Sequence, residues 1–230
     1  MKNIGLLWKK YSFLLLIIFT IAGLFDFRIA LAAIVCMIAP IIVSLFKGRF
    51  WCGNICPRGN FYDNIVIKFS SKRKVPKLLK SVYFRIAVTI FMLTMFAINF
   101  TKNWGNLYAM GLVMYRLIVV TTLIGMVLAV FYNHRTWCNF CPMGSIAALI
   151  SFFKNKKNGS SLLQVNSSCV SCKICEKKCP MDVSPYGYKG GALSHPDCIQ
   201  CGKCTAVCPK NSICYVQQNT TKNNGVSPSM

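Results

Sequence analysis

Acidic residues are nearly missing from this chain of 230 residues: 5 Asp plus Glu stand against 27 Lys plus Arg, while 54% of the residues are hydrophobic. That combination excludes a disordered tail, which lacks apolar residues, and an ordinary soluble domain, which mixes charges of both signs. Histidine is scarce as well, with only His134 and His195 present. A haem route through a membrane bundle therefore lacks ligands, since His134 alone lies near an apolar segment. No dinucleotide fingerprint occurs either. The glycines at 187–191 have neither the spacing nor the strand–helix setting, so the chain cannot accept hydride from nicotinamide by itself. No small-residue cleavage site follows Phe25, so the first apolar segment is expected to be retained and not removed as a signal peptide.

What is present falls into two parts. Before residue 133 the apolar residues gather into four nearly uncharged spans, 11–25 (extendable to 8–27), 29–46, 82–100 and 112–132. Their lengths approach the ~20 residues a bilayer requires. The expected fold is a membrane all-α four-helix bundle. Arg85 and Arg116 sit near span ends and are expected to snorkel to the interface. The loop 47–80 holds nine basic residues, Lys47, Arg49, Arg58, Lys68, Lys72, Arg73, Lys74, Lys77 and Lys80, whereas the opposite side has only Arg28 and Lys102. By the positive-inside rule the basic side, with both termini, is cytoplasmic. Trp104 and Tyr108 fit an interfacial aromatic belt. The formal charge of +22 is thus explained by the bilayer, with no nucleic acid required.

An internal repeat marks the ends of the second and fourth spans. Arg49-Phe50-Trp51-Cys52 leads through Cys56-Pro57-Arg58-Gly59, and Arg135-Thr136-Trp137-Cys138 leads through Cys141-Pro142-Met143-Gly144. The second copy is one residue shorter between its cysteines. Each half is a two-span hairpin followed by the same motif, so both motifs lie on one membrane face. Each Pro suits the first position of a helix. Cys52, Cys56, Cys138 and Cys141 could then meet as an additional redox or metal centre, with mere thiol packing as the bland alternative.

After a linker over 154–168 come the densest motifs. Cys169, Cys172, Cys175 and Cys179-Pro180 are repeated as Cys198, Cys201, Cys204 and Cys208-Pro209. In the two-cluster bacterial ferredoxin pattern, the cysteine before Pro ligates the other cluster. Applied here, one [4Fe–4S] cluster takes Cys169, Cys172, Cys175 and Cys208, and the second takes Cys198, Cys201, Cys204 and Cys179. Zinc also accepts paired Cys-x-x-Cys steps, but it leaves the third cysteine and the Cys-Pro, twice over, without a reason. Disulfides do not suit the reducing side of the membrane. Lys173, Lys177, Lys178, Lys189, Lys203 and Lys210 surround these motifs, either tuning the clusters, docking a partner or simply facing solvent. Cys36 and Cys214 are expected to be spectators. The domains are 1–153 in the membrane, the linker, a ferredoxin-like α+β domain over 169–215 and a disordered tail over 216–230.

The four spans, the two Trp-Cys motifs and the C-terminal cysteine pair together resemble the NapH-like family, the quinol-dehydrogenase membrane components of the polyferredoxin-like group. The resemblance implies a multi-pass protein of the bacterial cytoplasmic (inner) membrane that draws electrons from the quinone pool, with quinol as substrate. It also implies that the electrons pass to a respiratory reductase or another iron–sulfur protein. No catalytic residue is assigned. His134 could assist a quinol but is expected to be merely solvated. The competing reading is an accessory protein for metalloenzyme maturation or metal supply, because paired thiolates bind soft metals and exchange disulfides.

Overall fold

A computed structural model of the chain describes residues 2–71, 73–158 and 163–215, with residues 2–4, 6 and 154–158 described by main chain alone. The tail expected over 216–230, together with residues 159–162 of the expected linker, lies outside the described residues.

Four helical segments are long and apolar enough to cross a membrane: α1 (Lys2–Phe25), the 3-10 turn Phe27–Ala32 continued by α2 (Ala33–Lys47), α6 (Val82–Lys102) and α7 (Leu107–Phe131). Between them lie the short α3 (Phe50–Asn54), α4 (Pro57–Asn64) and α5 (Lys77–Lys80), and α8 (Pro142–Asn158) follows the last span. The long helices carry apolar residues all round, which suits lipid on one side and protein on the other. They do not close into a tight bundle. The heaviest packing sets α1 against α4, α2 against α8, and α7 against the 3-10 turn Phe27–Ala32, while α6 buries none of its residues. The spans are therefore held mainly through the helices that follow the repeated motifs, and a cavity is left among them.

Each motif folds as its spacing dictates. Three residues between Cys52 and Cys56 allow the α-turn of α3; two residues between Cys138 and Cys141 enforce the tighter 3-10 turn Thr136–Asn139. Beyond each, Pro57 and Pro142 open α4 and α8 at the position where a missing N–H costs nothing. The Cys56 carbonyl accepts from Asn60 N at 2.9 Å and the Cys141 carbonyl from Ser145 N at 2.8 Å, so the two copies resume the same geometry after the deletion.

The C-terminal part is a three-stranded antiparallel sheet in the order β2 (Gly191–Ala192), β1 (Leu163–Val165), β3 (Ile213–Tyr215), with the short α9 (Ile174–Lys177) and α10 (Lys203–Ala206). The central strand falls within the stretch expected as a linker. Leu163 and Val165 are buried and Gln164 is exposed, so a three-residue alternation suffices to pair both neighbours. Positive φ recurs at matching places in the two cysteine repeats: Ser171 and Gln200, Lys173 and Gly202, Asp182 and Asn211. Both loops curl by the same left-handed steps, which turn successive cysteines inward around a common centre.

Candidate functional site

The structure gathers the cysteines into three groups. Cys169, Cys172, Cys175 and Cys208 line one cavity, and Cys179, Cys198, Cys201 and Cys204 line a second. Each quartet thus combines three cysteines from one repeat with the Cys-Pro cysteine of the other. Val183 N donates to Cys179 Sγ at 3.4 Å and Ser212 N to Cys208 Sγ at 3.3 Å, again at matching positions. Amide donors to sulfur stabilise negative charge there. Burial pushes the Cys198 and Cys204 thiols up to about 12. As free thiols they stay protonated at neutral pH, and a bound cationic centre takes the place of those protons.

Cys52, Cys56, Cys138 and Cys141 all line a third cavity, of about 270 Å³, that runs from the two motifs up among the long helices. Arg49, Arg58 and Arg135 line it as well. Burial pushes Cys56 up to about 12, so as a free thiol it stays protonated at neutral pH. Arg49 Nη2 donates to the Cys138 carbonyl at 2.8 Å, and Arg135 Nη1 donates to the Cys52 carbonyl at 2.8 Å. The room for each guanidinium comes from the other motif's glycine: a Cβ on Gly59 would meet Arg135 Nη1 at 2.6 Å, and one on Gly144 would meet Arg49 Nη2 at 2.8 Å. Arg49 Nε, Trp51 Nε1 and Trp137 Nε1 are buried without a hydrogen-bond partner among the described residues. Such orphan donors ask for an acceptor. Among the described residues no three His, Cys, Asp or Glu groups are drawn together on a single-ion position.

Residues passed over in the sequence tie the two parts together. Asp63 is the lone acid in a loop with nine basic residues, an anomaly that could have singled it out. It pairs with Arg135 at 2.6 Å, with His134 at 3.0 Å and with Lys203 of the cysteine domain at 2.9 Å. Burial alone would raise its pKa, but the Arg135 charge, hydrogen bonds from His134 and Arg135, and the Lys203 charge hold the carboxyl well below the usual range. His134 is accordingly buried and bonded, contrary to the expectation of a solvated side chain; burial pushes its pKa down. Arg85, expected to snorkel to the interface, has a specific partner there. It pairs with Asp197 at 2.7 Å, and Arg49 reaches the same carboxylate at 3.3 Å. Lys80 pairs with Asp182 at 2.8 Å. Three of the five acids in the chain, Asp63, Asp182 and Asp197, therefore dock the cysteine domain on the helices.

The contact is close at its centre. A Cβ on Gly53 would overlap the Ile199 carbonyl, and Asn54 Nδ2 donates to the Gln200 carbonyl at 3.0 Å. Lys9 Nζ donates to the Cys201 carbonyl at 2.9 Å. Cys52 and Cys138 pack against the buried core formed by Leu163, Val165, Ile199 and their neighbours. Cys36 lines the upper part of the third cavity and Cys214 is exposed on β3.

The family described as a 4Fe-4S binding domain matches residues 29–76 and 115–159, which hold the two Trp-Cys motifs, and the family described as a 4Fe-4S dicluster domain matches residues 168–213. An uncharacterized protein of Methanocaldococcus jannaschii is 28% identical over 204 residues, covering 84% of this chain and 75% of that protein. YccM of Escherichia coli, whose name assigns it to electron transport, is 26% identical over 227 residues, covering 82% of this chain and 59% of that protein. These matches support an iron–sulfur electron-transfer family. A component of the ion-translocating oxidoreductase complex of Methanosarcina acetivorans is similar over a shorter stretch, 36% identical over 45 residues, or 20% of this chain and 17% of that protein. No solved structure matches the chain.

Proposed function

We propose that this chain is a membrane-bound electron-transfer subunit that takes electrons from the quinol pool of a bacterial cytoplasmic membrane and passes them to a respiratory reductase or that enzyme's iron–sulfur partner. Cys169, Cys172, Cys175 and Cys208 hold one [4Fe–4S] cluster, and Cys198, Cys201, Cys204 and Cys179 hold the other. Cys52, Cys56, Cys138 and Cys141 hold a third centre of the same kind. When bound, these groups supply one-electron transfer, which a protein of ordinary side chains cannot.

The donor sets suit this assignment. Three guanidiniums line the third cavity together with four thiols, an arrangement that favours a sulfur-rich centre of net negative charge over a naked cation. The single observation that carries the reading is the seating of Ile199 on Gly53. It sets a loop between two cysteines of the second quartet directly on the helix that bears Cys52. The protein's own work is to hold that juxtaposition, to bury the thiols away from water and to supply N–H donors to sulfur. The cysteine domain lies on the basic side, which the positive-inside rule makes cytoplasmic.

The test is anaerobic purification of the full chain in lipid, with iron and sulfide counted and EPR recorded after reduction. Three [4Fe–4S] centres give about twelve irons per chain, and Cys56→Ser lowers the count by about four. A soluble quinol added under the same conditions reduces the protein. A count of about eight, unmoved by Cys56→Ser, removes the third centre. Zinc in place of iron, or indifference to quinol, removes the relay.

A further inference from the structure

The third cavity is larger than its cysteines require. Its upper arm is walled by Leu15 and Phe19 of α1, Met37 of α2, Leu93 and Phe96 of α6 and Ile118 of α7. Along α2 alone the lining runs from Ala33 to Pro40, about 10 Å of helix. The whole cavity, cysteine end included, measures about 270 Å³, and the arm is the share of it lined by the long helices. The arm is also partly open: Leu15 is 50% exposed, and α6, which forms one wall, buries none of its residues.

Beside the cysteines, where the arm begins, lies a cation without a carboxylate partner among the described residues. Arg58 is set against neutral partners: its Nε donates to Tyr62 Oη at 3.4 Å, its Nη2 donates to the Thr121 carbonyl at 3.0 Å, and its guanidinium lies 4.9 Å from the centre of the Trp137 ring. None of the ion pairs among the described residues includes it, whereas Arg49 and Arg135 each have an aspartate. Arg58 also breaks the repeat, because the second motif has Met143 at that place. A centre shared equally by the two motifs gives no reason for a cation on one side only. A buried guanidinium without a carboxylate calls for electron-rich acceptor atoms in the space beside it.

On the reading that quinol is the donor, we infer that this arm binds the ring of a lipid-soluble quinone, with Arg58 at the ring's oxygen edge and the isoprenoid tail leaving between the long helices. The walls are too apolar for a soluble anion to exchange water for them. An acyl chain fits the walls but offers Arg58 no acceptor. A quinone supplies both an apolar ring and carbonyl oxygens. Arg58 is a positioning residue: held by Thr121 of α7 and by Tyr62, it fixes which edge of the ring faces the cysteine motifs.

The experiment uses the full chain in lipid nanodiscs and a photoreactive azido-benzoquinone with a short alkyl tail. Adducts are expected on peptides containing residues 33–40, 92–96 and 117–121, saturating with dose and displaced by excess unlabelled decylbenzoquinone. Leu93→Trp fills the arm from the helix that buries nothing and should cut this labelling at least tenfold, with iron content and the dithionite-reduced EPR signal unchanged. Arg58→Met, which copies the second motif, should weaken displacement by the unlabelled quinone about tenfold. Should Leu93→Trp lose its iron, the adduct map of the unaltered protein still decides the matter. Reduction by quinol with adducts confined to other surfaces overturns this site and leaves the relay standing. Non-saturable labelling of the arm, the sign of ordinary lipid space, also overturns the site. Neither reduction nor labelling overturns the quinol reading and the site with it.

Discussion

Arg49 and Arg135 each serve the other's motif: the first donates to the Cys138 carbonyl and the second to the Cys52 carbonyl, both at 2.8 Å. Arg49 also reaches Asp197 through Nη1, and Arg135 reaches Asp63 through Nε and Nη2. Neither hairpin can complete its cysteine site alone, and the cysteine domain enters the same network through Asp197 and Lys203. The repeat is therefore not two sites but one, shared across a join that three elements close together.

A lysine at either arginine position keeps the charge and loses the planar fork that reaches a carbonyl and a carboxylate at once. Arg135 is fully buried, so the groups it leaves behind cannot turn to water. Arg135→Lys should cost about 1–3 kcal/mol, as buried acceptors left without a donor do. Arg49→Lys should cost a similar amount. The measurement is the denaturation midpoint of the purified protein in lipid, with iron counted at each step. An unshifted midpoint for both variants contradicts the shared site.

Gly53 tests the docking of the two parts. Alanine there drives a methyl group into the Ile199 carbonyl, which is backbone and cannot swing aside. The cysteine domain must back away or α3 must shift, with a cost of about 1–3 kcal/mol. Gly53→Ala should keep its iron, expose the segment around Gln200 to faster hydrogen exchange, and slow reduction of the C-terminal clusters by quinol. Exchange identical to that of the unaltered protein would show that the close approach does not hold in solution.

Much of this arrangement was legible in the sequence. The duplicated R-x-W-C motif and the twin cysteine runs are local patterns: their spacing places Pro57 and Pro142 at helix starts, and the two-cluster ferredoxin pattern supplies the expectation of crossed quartets. The docking was not legible, because it depends on which faces meet. Asp63, His134 and Arg85 read singly as surface or interface residues, and only the fold brings Asp63 to Lys203, 140 positions away. The strand at Leu163–Val165 was hidden for a different reason: three residues in a polar stretch carry too little periodicity to stand out. The expectation of a four-helix bundle rested on span count, which says nothing about how much of the packing α4 and α8 take.

The two cysteines outside the quartets supply a contrast. Cys36 lines the apolar arm of the third cavity without a matching cysteine in the second hairpin, and Cys214 is exposed on the edge of β3. Cys36→Ser and Cys214→Ser should leave iron and sulfide content within error of the unaltered protein. Serine at Cys172 or Cys201, by comparison, should remove about four irons. Loss of iron from either spectator variant would mean that the quartets are wrongly drawn.

Asp63 gives the docking a pH dependence with a definite sign. Its carboxyl is ionised in the folded state far below the value of about 3.9 that it has when unfolded. The groups facing it are His134, Arg135 and Lys203, with the charge of Lys9 nearby. A depressed folded pKa contributes stability that is complete above the unfolded pKa and drains away as pH falls through the acid range towards the folded value. His134, neutral because burial lowers its pKa, adds a loss of the same sign that begins near its unfolded value of about 6.5. The unaltered protein should therefore lose stability steadily from about pH 6 to pH 4. Asp63→Asn removes the carboxylate, leaves Arg135 buried without its counter-charge, and should cost about 3–5 kcal/mol at pH 7. Because asparagine does not titrate, the gap between the two proteins should narrow as pH falls from about 4 towards 2. Denaturation midpoints measured in parallel at each pH read that gap directly, and a gap that stays constant or widens towards acid would show that Asp63 is not held ionised by this network.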